Sequence, residues 1–379
     1  MKKLFLILTL AFASYIVDAQ TINLVKDESY AVNEDFFDAL GQAGTLYNVK
    51  KLTVFDDGTA MISHTNENRY SLFDENGKHL KDIEIYYEDG KKKPFNLQPV
   101  FGKINNLYFT GSNSNGIIYF FNDNGLIVNE ITIDCSVYNM IPLDDNHIAF
   151  YGGTSWRTKW RDFVAILDIN TGKYKIIFDY YEDTPSKNDD YYIYAKAHVN
   201  KRPEIFKVND NLIIAIPQEG VLNIYNLAGN KVSEHKLDWK PKTLSVEEQK
   251  KIQAKAIAKY KQEAADAEHN IYFNDFILRL ENGMDHITQP LSLSKFTLAI
   301  KGNGDNIIFF EYAEESGQNS FHTYSVGQHK TISQNTFQCS DFDLSITKNR
   351  FVIHNGYVYG IQNVKGSEEE LRLVRFVMK

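Results

Sequence analysis

LTVFDDGTAMIS, residues 52–63, is an apolar run, a tight polar turn and a second apolar run. Thr53, Val54 and Phe55 suit an extended strand. Asp56-Asp57-Gly58 suits a turn, because Gly takes positive φ without steric cost and Asp bonds its own backbone. Ala60, Met61 and Ile62 follow without polar interruption, as in a strand buried on both faces. The formula returns five times, in residues 101–110 turning at Asn105-Asn106, 141–151 at Asp144-Asp145-Asn146, 205–216 at Asn209-Asp210-Asn211, 296–310 at Gly302-Asn303-Gly304-Asp305, and 351–361 at Asn355-Gly356. Such a hairpin, recurring every ~40–95 residues, is the pattern of propeller blades whose loops vary in length.

A second hairpin follows each of the first four. Residues 70–73 turn at Asp74–Gly77, 117–121 at Asn122–Gly125, 163–167 at Asp168–Gly172, and 221–225 at Asn226–Gly229. Each unit is then four antiparallel strands, A to D, running outward from a central channel. A β-sandwich would not need the same two turns repeated in this order. The last unit has its third strand at residues 371–378, where the sequence given stops, and lacks a fourth. Residues 21–25 form a β-like run with no local partner, and pairing them with that third strand closes the ring without an open seam. The expected fold is all-β, a six-bladed β-propeller over residues 20–379. Seven blades is the alternative, with residues 271–280 read as strand-like.

The Asp/Asn-Gly turns, with aromatic third strands such as Tyr119-Phe120-Phe121-Asn122, resemble those of secreted six-bladed propellers of the Bacteroidota, of TolB-like and NHL-like architecture. The resemblance covers residues 21–379. It implies the architecture and imports little function, since many members have no assigned activity.

Residues 1–19 read as a leader. Lys2 and Lys3 give a basic start, residues 4–17 are mostly apolar, and Val17-Asp18-Ala19 places small residues at −3 and −1 before Gln20. The apolar stretch falls short of the ~20 residues of a spanning helix. The absence of Cys near the cleavage site argues against a lipid anchor, so the expectation is an exported protein that is not a lipoprotein. The net charge of −8 becomes more negative without the leader, which disfavours nucleic acid as a partner. Cys135 and Cys339 belong, on this count, to blades facing each other across the ring, beyond the ~7 Å reach of a disulfide. Two unpaired, buried thiols are expected.

The A–B and C–D turns are short, so the long segments all fall on the opposite rim, where loops on a rigid scaffold often carry function. The longest holds a helix over about residues 242–268, inserted between blades four and five. It opens on the capping box Ser245-x-x-Glu248 and carries a narrow stripe of Ile252, Ala256, Ile257, Tyr260 and Ala264. Two loops are aromatic: residues 152–161 with Trp156, Arg157 and Trp160, and residues 179–194 with Tyr180 and Tyr181. Flat rings beside charges suit a peptide, protein or glycan ligand, and the plainer reading is that they pack the loops. No nucleophile elbow, metal-ligand spacing or phosphate loop occurs, so no cofactor or metal is expected. The favoured function is an exported binding propeller. The alternatives are a carbohydrate-active hydrolase or lyase with a carboxylate pair near the channel mouth, and an envelope component without a site.

Overall fold

Strands bury in order from the inside out. The computed structural model describes residues 19–31, 49–64, 69–90, 97–112, 116–156, 159–182, 191–197, 203–237, 242–266, 271–293, 296–311, 319–339, 351–363 and 371–379. β1 (Ala19–Lys26) precedes the first sheet, β2 (Val49–Val54), β3 (Ala60–His64), β4 (Arg69–Phe73) and β5 (His79–Glu84). The second sheet is β6 (Gly102–Ile104), β7 (Leu107–Gly111), β8 (Ile117–Phe121) and β9 (Ile127–Thr132). The third is β10 (Ser136–Pro142), β11 (His147–Trp156), β12 (Lys159–Asp168) and β13 (Lys173–Glu182). The fourth is β14 (Glu204–Val208), β15 (Asn211–Ile216), β16 (Val221–Asn226) and β17 (Lys231–Lys236). A two-stranded ribbon, β18 (Lys242–Leu244) with β19 (Leu291–Leu293), comes next. β20 (Phe296–Lys301), β21 (Asn306–Glu311), β22 (Asn319–Ser325) and β23 (Lys330–Gln338) share an eight-stranded sheet with β24 (Phe351–His354), β25 (Tyr357–Asn363) and β26 (Leu371–Met378). Within each group, chain neighbours pair antiparallel.

β3 is buried throughout and β7 and β15 nearly so, whereas β5, β9 and β17 are largely exposed. Second strands are packed on both faces and fourth strands meet water, which explains their apolar and polar compositions. Six apolar clusters lie between successive groups. Tyr70 and Phe121 join the first and second sheets, Phe109 and Phe163 the second and third, and Tyr151 and Ile214 the third and fourth. Ile213 and Phe309 join the fourth to β20–β23, Phe310 and Phe376 join β20–β23 to β24–β26, and Tyr359 and Leu52 return to the first sheet. The arrangement is all-β and propeller-type.

β1 lies between the two halves of the eight-stranded sheet. Ala19 to Asn23 pair parallel with β23, and Leu24 to Lys26 pair antiparallel with β26. Arg375 fixes this strand. Its guanidinium donates to Asp27 Oδ2 at 2.9 and 2.7 Å, donates to the Glu75 carbonyl at 3.3 Å, and lies 4.4 and 4.5 Å from the ring centroids of Tyr30 and Tyr357.

Three expectations are corrected. Residues 271–280 are helical: α1 (Val246–Asp266) is followed by α2 (Ile271–His286), and Ile277, Leu280, Gly283 and Ile287 are buried at the 3-and-4 spacing of a helix. The apolar stripe of α1 meets α2 and residues 191–197, with Tyr260 edge-on to Phe276 at 5.0 Å and Tyr194 6.4 Å from Tyr260. Residues 152–156, 159–161 and 179–182 are strands in place of loops, because Thr154, Trp156, Trp160 and Tyr180 are β-formers that carry the third sheet past its neighbours. Cys135 and Cys339 are unpaired as expected, but Cys339 is only half-buried and sits just beyond β23. Burial and the nearby Asp134 carboxylate push the Cys135 thiol up to about 12.

Candidate functional site

The sequence candidates gather at the end of the third sheet. Trp156 and Trp160 flank the β11–β12 turn, with Ser155 opposite Trp160 and Trp156 opposite Lys159. Tyr180 pairs with Asp162, and Tyr181 with Arg161. Arg157 and most of the leader lie outside the described residues. Arg161 grips Asp179 with two nitrogens, at 2.6 to 3.2 Å, and Tyr151 donates to Asp162 at 2.5 Å. Those charges therefore stiffen the arm.

A cavity lies elsewhere. About 530 Å³ opens at the inner edge of the ring, on the face of the short A–B turns. Thr53 to Asp57 line it from the first sheet, Phe101, Lys103, Asn105 and Asn106 from the second, Ile141 and Pro142 from the third, Ile205 to Lys207 from the fourth, and Lys301 from β20. The short turns, read in the sequence as the scaffold side, surround the channel mouth.

Short side-chain ties lace these turns together. Lys103 Nζ sits 3.7 Å from Asp57 Oδ2, joining second sheet to first. Asn105 Nδ2 donates to the Asp145 carbonyl at 3.0 Å, joining second to third, and Lys207 Nζ donates to the Leu143 carbonyl, joining fourth to third. The Gly356 amide donates to Asn303 Oδ1 at 2.7 Å, joining β24–β25 to β20–β21. His354 lies near enough to Asp56 and Asp57 to feel their charges, which brings β24 beside the first sheet. Asn105-Asn106 and Asn355-Gly356 have positive φ at both positions, the type I′ geometry that matches strand twist. Most neighbouring turns of the rim are thus tied to one another.

Electrostatics follow from these contacts. Partial burial opposes ionisation of Asp57, but the Thr59 hydroxyl and amide, at 2.6 and 3.0 Å, and the Lys103 ammonium hold its carboxyl below the usual range. Burial lowers the His354 imidazole below its ordinary value; Lys301 adds to this, while the Asp56 and Asp57 carboxylates oppose it. Asp57 is a fixed anion rather than a poised acid. Among the described residues no group of three or more His, Cys, Asp or Glu could hold a metal ion.

Sequence reading missed Lys103, Lys207 and Lys301 because it searched the loop-rich face. A signal was present: Lys103-Ile-Asn105, Lys207-Val-Asn209 and Lys301-Gly-Asn303 repeat Lys-x-Asn at the end of three innermost strands.

No protein-family model matches the sequence, and no curated protein is significantly similar to it. Solved structures do resemble it. A member of the DUF4221 family from Bacteroides vulgatus superposes with a TM-score of 0.55 at 13% identity, over 96% of this chain and 99% of that one. A protein of Bacteroides fragilis thought to be exported gives 0.49 at 11%, over 94% and 95%. BamB from Moraxella catarrhalis gives 0.36 at 12%, over 86% and 82%. Over nearly its whole length this chain shares the propeller-type fold of a Bacteroides protein, and at this identity the likeness is one of fold.

Proposed function

We propose that this chain is an exported, six-bladed propeller that binds a small ligand at the channel mouth, on the face of the A–B turns. The observation that carries the reading is one cavity of about 530 Å³ lined from five innermost strands. Its volume lies within the ~300–1,000 Å³ of ordinary ligand sites. Blades one to four are the first four sheets, blade five is β20–β23, and blade six is β24–β26 completed by β1. The helical insertion then follows blade four. Export rests on the leader-like residues 1–19. Among the described residues no helix is long and apolar enough to cross a membrane. Asp57, held ionised beside Lys103, favours binding over a proton-donating role in glycoside cleavage.

A second reading is favoured by the length of the arm. β11, β12 and β13 each run ten residues, against five for β3 and six for β15. The extra residues extend the third sheet by roughly 13–17 Å at ~3.3 Å each. Trp156, Arg157, Trp160, Tyr180 and Tyr181 would there meet a peptide, protein or glycan. A library of glycans, peptides and small metabolites, screened against the protein from Gln20 onward, separates the readings. Loss of binding in Lys207→Glu alone supports the mouth. Loss only in the Trp156→Ala/Trp160→Ala double variant moves the site to the arm and sinks the first reading.

A further inference from the structure

We infer that the channel mouth takes a small polyanion, a molecule carrying two or more carboxylate or phosphate groups, held at the junction of the fourth sheet with β20. This rests on the mouth being the binding site.

Three lines converge. The first is charge. The cavity lining holds three ammoniums, on Lys103, Lys207 and Lys301, against the two carboxylates of Asp56 and Asp57. The lining is therefore net positive in a chain of net charge −8. Lys103 is already balanced by Asp57 at 3.7 Å, which leaves Lys207 and Lys301 against the single carboxylate of Asp56, a surplus of one positive charge. Apolar walls at Phe55, Phe101 and Ile141 strengthen that field by excluding water.

The second is donor capacity. An ammonium offers three N–H donors and no acceptor. Lys207 spends one on the Leu143 carbonyl, which orients the side chain and leaves two. Lys301 is exposed and makes no hydrogen bond or ion pair with the described residues. Both side chains therefore line the cavity with donors unspent.

The third is the break in the lacing. Side-chain ties join the turns of first to second, second to third, third to fourth, and β20–β21 to β24–β25, and the His354 ring lies within reach of the Asp56 and Asp57 charges at the seam with the first sheet. Among the described residues none joins the Asn209-Asp210 turn of the fourth sheet to the turn after β20. An anion bridging Lys207 and Lys301 would supply the missing tie. The Lys-x-Asn repeat explains the convergence: a residue two before the turn of an innermost strand reaches the same mouth from each blade.

The test is calorimetry on the protein from Gln20 onward, with citrate, pyrophosphate and a neutral trisaccharide as probes. Amide resonances of Gly102 and Asn105 report whether the mouth is occupied. Citrate or pyrophosphate should bind saturably and move both resonances, and the probe that binds distinguishes carboxylate from phosphate. Lys301→Gln and Lys207→Gln should each weaken it by about tenfold or more, as for loss of a charge-assisted bond. Lys330→Gln, the same charge change at an exposed position beyond the mouth, should leave affinity within about twofold. Equal weakening by all three variants would mean non-specific attraction and overturn the inference. A trisaccharide that moves the same resonances, with affinity indifferent to Lys301→Gln, would overturn the anion and keep the mouth. If no probe moves them, the inference and the reading beneath it both fall.

Discussion

Asp74, Asn122, Asp168 and Asn226 each open a turn between third and fourth strands, and each accepts a backbone amide from within its own turn at about 2.9–3.0 Å. In the second, third and fourth sheets the glycine that closes the turn also meets the preceding sheet. A Cβ on Gly125, at φ +88°, would lie 2.0 Å from the Glu84 carbonyl, and one on Gly229 would lie 2.6 Å from Ile177. Glycine here serves turn and inter-sheet packing at once. Gly125→Ala should cost at least about 2 kcal/mol by chemical denaturation. Gly90→Ala, at φ +75° but with nothing within 4 Å, should cost only the left-handed penalty of about 1 kcal/mol. A second residue-scale prediction concerns His235. Its ring stacks on His329 at 4.6 Å and bonds Ser233 at 3.0 Å, with Tyr324 beyond at 6.0 Å. Burial first, and the His329 charge second, hold His235 below its ordinary 6.5. The unfolded chain therefore takes up the proton first. The stability His235 contributes is present above pH 6.5 and declines as pH falls through that value toward its lower folded value. Melting temperature followed from about pH 8 to pH 5 should fall less in His235→Asn than in the parent; parallel curves would refute the assignment.

At the scale of elements, the helical module is specified by one buried glutamine. Gln253 donates to the Tyr192 and Leu280 carbonyls at 2.7 and 2.6 Å and accepts the Tyr194 amide at 2.7 Å. It thereby joins α1, α2 and residues 191–197 around a small core of Ile193, Leu244 and Ile287. Gly283 lets the Tyr192 carbonyl approach, since a Cβ there would lie 2.1 Å away. Gln253→Leu should lower hydrogen-exchange protection in residues 191–197 and α2 by about 2–3 kcal/mol, leaving β2 to β16 unchanged. How much was legible in the sequence divides along physical lines. The turns were legible because Asn, Asp and Gly act locally, and the α1 cap formed as read, with Ser245 and Glu248 exchanging bonds at 2.7 and 3.2 Å. α2 was misread because IYFNDFILRL is a short apolar run that fits period 2 or 3.6 until its partner is known. The mouth was missed because Lys103, Lys207 and Lys301 meet only when the ring closes.

For the whole molecule, closure depends on β1 and its lock. Asp27 is held below the ordinary carboxylate range: burial opposes this, but Ser29 and Arg375 outweigh it. The Arg375–Asp27 pair is 15% exposed on both sides, and it ties the N-terminal strand to β26 and to the first sheet. Arg375→Ala should cost about 2–3 kcal/mol, with the earliest loss of protection in β1 and along β23 and β26. Uniform loss across all sheets would show that β1 is not the weak seam.

The laced rim has a kinetic consequence. Its described turns are two to five residues long and most are tied sideways to a neighbour, so none of them can fold over the cavity as a lid does. Ligand would enter and leave by diffusion alone, with no gating step to slow arrival or prolong residence. Association should then rise linearly with ligand concentration, without the plateau of an induced closure. If the mouth binds ligand as proposed, its occupancy would follow ligand concentration with no closure step to delay it.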